Sequence, residues 1–284
     1  MDNLPRPPAS SAPAPARFIE SSANALYKQV RRLARDAAAA RRQGLAWLEG
    51  DHLASAARQH GVRPALLVLA QSLWRAPDQA GWLGWAAQTV VLPDELFAAL
   101  SALDSPARIG LLMPLPNAAS AASPDAALDA TAPTLVLDRV QDAGNVGSML
   151  RCAAAFGFTQ VLALPGTAAL WGPKVLRAGM GAHFGLRLLE GVSARAVQRL
   201  AVPCLATSSH QGQWLHQAAL PWPCAWLMGH EGQGLSPELA ALARTHIRIA
   251  QPGGQESLNV AAAAAICLHA SAAAALAASA AAPG

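Results

Sequence analysis

The chain has 284 residues, with 21 Lys and Arg against 17 Asp and Glu for a formal charge of +4; 53% of its residues are hydrophobic and 13% charged. That length holds one large domain or two moderate ones, and the hydrophobic share excludes a disordered polymer. Much of the apolar fraction is alanine, so burial must come from Leu, Val, Ile and the eight Trp.

In chain order, residues 1–16 are dominated by Pro, Ala and Ser, the composition of a disordered leader, and contain no apolar core of a secretory signal. "SANALYKQVRRLARDAAAARR" then predicts a helix, with Leu26, Val30 and Leu33 on its apolar side and basic residues between them. "GLAWLEGDHLASAARQHG", "ALLVLA" and "QTVVLPDELFAAL" alternate strand-like and helix-like runs, so residues 17–114 read as a small α/β domain. Residues 17–63 hold nine basic side chains against four acidic ones. Lys28, Arg31, Arg32 and Arg35 lead that excess, which suits either a phosphate-bearing partner or a solvated helix face.

Residues 115–133, poor in large apolar side chains, read as a linker to a second domain over 134–284. There "TLVLDRV", "QVLAL", "CLATSS", "CAWLMG" and "HIRIA" are strand-like. "NVGSMLRCAAAFG", "GPKVLRAGMGAHF" and "SLNVAAAAAICLHA" are helix-like, and the alternation predicts a mostly parallel sheet covered on both faces. The nearly uncharged tail after Asn259 has the length of a membrane span. Its alanine content and His269 favour a packing helix instead, so no membrane partner is expected. The four cysteines, Cys152, Cys204, Cys224 and Cys267, are too far apart for a zinc pair or a redox dithiol and point to reduced thiols in a cytoplasmic protein.

Three strand-end loops combine glycines with polar residues near a helix entrance: "QDAGNVGSMLR", "LMGHEGQGLS" and "IAQPGGQESLNVA". Ligands of open α/β sheets sit at such carboxyl ends, and glycines there admit close approach to the backbone. Singly each loop has a plainer explanation. Asn145 and Ser257 suit helix N-caps, Glu231 suits nearby backbone donors, and Arg151 suits a surface position. No P-loop or dinucleotide fingerprint occurs, and no metal-ligand spacing surrounds His230.

Together, Asn145-x-Gly147-x-x-x-Arg151, Gly229-x-Glu231-x-x-Gly234 and Ser257-Leu258-Asn259-Val260 resemble the three signature motifs of the SpoU/TrmH family, SPOUT-class RNA 2′-O-ribose methyltransferases. The likeness covers roughly residues 133–272, and "SSANALYKQVRRL" with "LEGDHL" resembles, more loosely, the small RNA-recognition domain of members that act on ribosomal RNA. It implies a trefoil-knotted catalytic domain, a homodimer packed knot against knot, and S-adenosylmethionine as cofactor. Cofactor contacts map to Thr207, Gly229, Gly234, Ile249 and Leu258. By the same resemblance, Arg151 activates the ribose hydroxyl while Asn145, Glu231, Ser257 and Asn259 shape the site. Guanidinium stays protonated, so a role gripping phosphate and stabilising the alkoxide suits Arg151 better than one as a base. Methylation of transfer RNA and a non-catalytic RNA-binding role are the alternatives. The chain departs from the pattern at Ala250-Gln251, where the family has Pro-Met, and at Ala143, where proline is frequent.

Overall fold

The computed structural model describes residues 15–76, 82, 84–101, 107–116, 123–208, 211–254 and 257–281. All but the last two residues of the expected leader lie outside that set. The chain divides into two compact units at residue 120.

The front unit contains β1 (Arg17–Phe18), α1 (Ala25–Arg35), α2 (Ala37–Arg42), β2 (Leu45–Glu49), α3 (Asp51–Gln59), β3 (Leu66–Ala70), α4 (Gln71–Trp74), β4 (Thr89–Leu92), α5 (Asp94–Ala98) and β5 (Ile109–Pro114). Its mixed sheet runs β1-β4-β3-β5-β2. The helix expected over the first basic run is two helices. Asp36 leaves helical space at φ −116° and ψ 90°, and its side chain caps α2 by accepting the Ala39 N–H at 2.9 Å. Tyr27, Val30, Leu33 and Ala34 bury one side of α1 against the core, which leaves Lys28, Arg31, Arg32 and Arg35 exposed. Arg35 is partly committed, since its Nε donates to the Ala99 carbonyl at 3.0 Å.

The second unit contains β6 (Thr134–Leu137), α6 (Ala143–Ala155), β7 (Gln160–Ala163), α7 (Pro173–Gly179), β8 (Arg187–Glu190), α8 (Ala194–Val197), β9 (Cys204–Thr207), β10 (Gln213–Trp214), β11 (Ala225–Met228), α9 (Pro237–Ala240), β12 (Thr245–Arg248) and α10 (Val260–Ala281). Its seven strands run β10-β12-β9-β11-β6-β7-β8, and every pairing is parallel. The chain builds outward from β6 through β7 to β8, then returns to the other side of β6. The carboxyl ends of β6, β11, β9 and β12 therefore lie side by side where the order reverses, the place at which α/β sheets bind ligands. The short β8 and β10 have no clear signal in the sequence.

Part of the expected linker belongs to this unit. Leu128 is buried in the sheet core beside Val136 and Leu162, and Asp125 accepts both the backbone N–H and the hydroxyl of Ser193. Gly147, expected to serve a guest, instead lets α6 touch α7: a Cβ there would stand 2.4 Å from that of Ala178. Among the described residues α10 is the one helix long and apolar enough to cross a membrane. Ala264, Cys267, Leu268 and Ser271 form its buried stripe, at helical spacing, and it packs on α6 and β11. Ser271 accepts the indole N–H of the fully buried Trp226 at 2.9 Å.

Candidate active site

The two expected helix caps fall on different residues. Asp142 caps α6 by accepting the Asn145 N–H at 2.7 Å, and Asn259 caps α10 by accepting from Ala261 N at 2.9 Å and Ala262 N at 3.2 Å. The reason is register: each cap stands immediately before its helix, where a short side chain reaches the N2 and N3 amides. Asn145, inside the first turn of α6, thus has its side chain free for another task. Ser257 lies exposed two residues before the cap.

That task joins the three loops. Asn259 Nδ2 donates to Asn145 Oδ1 at 2.9 Å, and Asn145 Nδ2 donates to Glu231 Oε1 at 3.2 Å. The direction of this chain is fixed at both ends. The α10 amides can only donate, so Asn259 must present its oxygen to them; the Glu231 carboxylate can only accept, so Asn145 must present its nitrogen. Neither side-chain amide can flip without setting like groups face to face. Each Nδ2 keeps a second N–H with no partner among the described residues. The site thus offers two oriented donors at the carboxyl edge of the sheet, the equipment to hold an oxygen that gains negative charge.

Glu231 also accepts from Asp142 N at 3.2 Å and from Gln141 N at 3.3 Å. Its partners are the chain's own donors. Burial pushes its pKa up, but its own backbone N–H, Asn145 and the two other amides outweigh that and hold the carboxyl below its ordinary value. Through these bonds Glu231 ties the loop after β11 to the loop after β6 and to α6.

The loop carrying Glu231 closes on itself. At Gly229 the side-chain position is taken by the loop itself, because a Cβ there would meet the backbone of Gly234 at 2.2 Å and of Leu235 at 2.3 Å. His230 and Gly234 exchange backbone hydrogen bonds at 3.0 and 2.9 Å, and Gly234 takes φ +67°, a left-handed value that favours glycine. His230 Nδ1 accepts from Gly232 N at 3.0 Å, which places its ring proton on Nε2. His230 is therefore part of the turn.

Two residues that brace these loops went unread because they close a run that looks like plain strand. Asp138, 2% exposed, accepts the Ser236 N–H at 2.6 Å, and Arg139 donates Nε to Asp138 at 3.0 Å, Nη1 to Gln233 at 3.0 Å and Nη2 to the Gly234 carbonyl at 3.3 Å. Burial raises the Asp138 pKa, but hydrogen bonds from Arg139 and Ser236 and the Arg139 charge together outweigh it, for a net decrease. A charge pair ending a hydrophobic run was the available clue.

Thr207, Gly229 and Ile249 stand at the ends of the adjacent strands β9, β11 and β12. Leu258, 39% exposed, turns an apolar side chain to solvent in the same group of loops. Arg151 is exposed in the middle of α6. Helix geometry sets it about 9 Å beyond Asn145 and about 120° around the axis, so the fold of one chain joins Asn145, Glu231 and Asn259 but not Arg151.

These features have counterparts. Residues 132–269 match the model of the SpoU rRNA Methylase family. The 23S rRNA (guanosine-2′-O)-methyltransferase RlmP of Bacillus subtilis is 30% identical over 228 residues, 78% of this chain and 86% of the relative. A TrmH-family protein of Porphyromonas gingivalis superposes with a TM-score of 0.73 at 30% identity, covering 87% of this chain and 97% of its own. AviRb of Streptomyces viridochromogenes, crystallised with S-adenosylmethionine, shares the fold at a TM-score of 0.76 and 21% identity, covering 89% of this chain and 98% of its own. A catalytic sheet with this loop arrangement defines an RNA-methylase class of protein. The chain belongs to the SpoU rRNA methylase family.

Proposed function

We propose that the protein moves the methyl group of S-adenosylmethionine onto a ribose 2′-oxygen of ribosomal RNA. The amide chain from the α10 N-terminus through Asn259 and Asn145 to Glu231 carries this reading, since its two spare N–H groups suit an emerging alkoxide. Thr207, Gly229, Gly234, Ile249 and Leu258 would hold the cofactor, which when bound supplies an electrophilic methyl group. The fit is chemical: Leu258 offers an exposed apolar surface, and Gln251 carries a buried side-chain oxygen with no hydrogen-bond partner among the described residues. Gln251 stands where the family commonly has methionine, so this lining is more polar than usual for the family.

Arg151, always cationic, grips an RNA phosphate and offsets charge on the ribose oxygen. Ser257 borders the site, and the hydroxyl proton leaves to water because Glu231 is already saturated with donors. RNA offers the 2′-hydroxyl that DNA lacks. Lys28, Arg31, Arg32 and Arg35 dock on phosphates, so RNA affinity falls steeply with salt. The reading extends to a cytoplasmic homodimer with a trefoil-knotted second domain. The exposed flank of α10, with Ile266 40% and Leu276 73% exposed among alanines, supports pairing with a second copy. Labelled-methyl incorporation into ribosomal and transfer RNA tests the proposal. Label in ribosomal RNA ribose is the expected result; label confined to transfer RNA overturns the substrate, and none in either overturns the activity.

A further inference from the structure

Two charged arms cross in opposite directions between the loop that follows β6 and the loop that follows β11. Glu231 reaches from the second loop to Gln141, Asp142 and Asn145 in the first. Arg139 reaches from the first loop to Gln233 and Gly234 in the second. The arm of Arg139 is itself aimed. Its backbone is left-handed at φ 57°, its Nε and Nη2 are held by the buried Asp138, and its stem lies against Gly166, where a Cβ would come within 3.2 Å of Arg139 Cγ. A side chain other than glycine held left-handed marks a surrounding structure that enforces the conformation. Asp138 also fixes the far end of the second loop through Ser236 N, while its own N–H extends the ladder to the Met228 carbonyl at 2.8 Å.

We propose that Arg139 is a positioning residue: with Asp138 it sets the course of the 229–236 backbone and thereby tunes affinity for the cofactor without touching RNA. Glu231 orders the amide chain that serves the ribose, so the two arms divide the labour. The inference rests on the cofactor assignment above. Arg139 acts through the carbonyl of Gly234 and the side chain of Gln233, and a lysine cannot reproduce a fork that meets three acceptors at once.

The test is calorimetric titration of S-adenosylmethionine and S-adenosylhomocysteine into the full chain, with steady-state kinetics, for the wild type, Arg139→Ala, Arg139→Lys and Gln233→Ala. Arg139→Ala should weaken both cofactor forms about tenfold and raise the cofactor KM alike, with kcat and RNA KM within about twofold. Arg139→Lys should recover only part of that loss, and Gln233→Ala, which leaves Asp138 undisturbed, should give a smaller loss of the same kind. Unchanged cofactor affinity in Arg139→Ala, or a change confined to RNA KM, overturns the proposal. If the wild type binds neither cofactor form, the functional assignment fails, and hydrogen exchange still judges the clasp. Faster exchange at residues 230–235 in Arg139→Ala supports it, and unaltered exchange refutes it.

Discussion

The loops after β11 and β12 both carry glycines at the carboxyl edge of one sheet, yet they are built differently. The first is tied down by Asp138, Arg139 and Glu231 and by its own His230–Gly234 bridge. The second closes a turn with the Gly254 N–H on the Gln251 carbonyl at 3.1 Å and is anchored further along by Asn259. Gly229 is packed against its own loop, whereas a Cβ on Gly253 would meet nothing within 4 Å. One loop is preorganised and the other has room to adjust. Glycine content, the feature visible in the sequence, does not separate them.

The largest effect is expected at the chain that joins both loops. Asn145→Asp replaces a donor facing Glu231 by a second carboxylate, and should lower kcat by roughly a hundredfold or more while cofactor affinity stays near the wild-type value. Single-turnover methylation with separate cofactor titration checks this, and normal turnover would break the proposed link between the loops and the ribose.

Acid gives the next largest effect. Burial drives the His183 pKa from 6.5 down to about 4, opposed by its bond to the Leu170 carbonyl. A depressed folded value means that the unfolded chain binds the proton more readily. The stability from neutral His183 is therefore complete above the ordinary histidine pKa and is lost as pH falls to about 4, on the order of 3 kcal/mol in all. Asp138 and Glu231 are depressed too, so the stability each ionised carboxylate contributes is present above its ordinary value and lost as pH falls through its folded value. Urea unfolding across this range should show the first loss, and hydrogen exchange should then show residues 229–236 loosening before the turn at 251–254.

Gly229→Ala should cost about 2 kcal/mol, because backbone cannot yield as a side-chain tip can, and should weaken cofactor binding with it. Gly253→Ala is the matched control, expected within about 0.5 kcal/mol of wild type by thermal unfolding. Equal losses at the two glycines would erase the distinction between the loops.

The sequence disclosed the parallel sheet and the three loops because hydrophobic runs and glycine clusters are local patterns. It did not separate Asp138 and Arg139 from "TLVLDRV", since a left-handed arginine leaves no mark on composition. The caps were misplaced because Asp142 and Asn145 are both good cap residues, and only the start of α6 decides between them. Strand β8 offers four residues, Arg187–Glu190, with charges at both ends, too short a run to stand out. The convergence of Asn145, Glu231 and Asn259 is long-range geometry, which the family motifs signalled and periodicity did not.

The bond between Trp226 and Ser271 has a mechanical consequence. A helix sheathed almost wholly in methyl groups is a nearly smooth rod, and shape alone would let it screw along its seat with little resistance. One indole proton seeking one hydroxyl acts as the index pin. Advancing the rod by a single residue would strand that proton in a dry interior and swing Asn259, twelve positions away, about 100° out of line. Alignment of Asn259 with Asn145 is thus set partly by a contact more than three helical turns away.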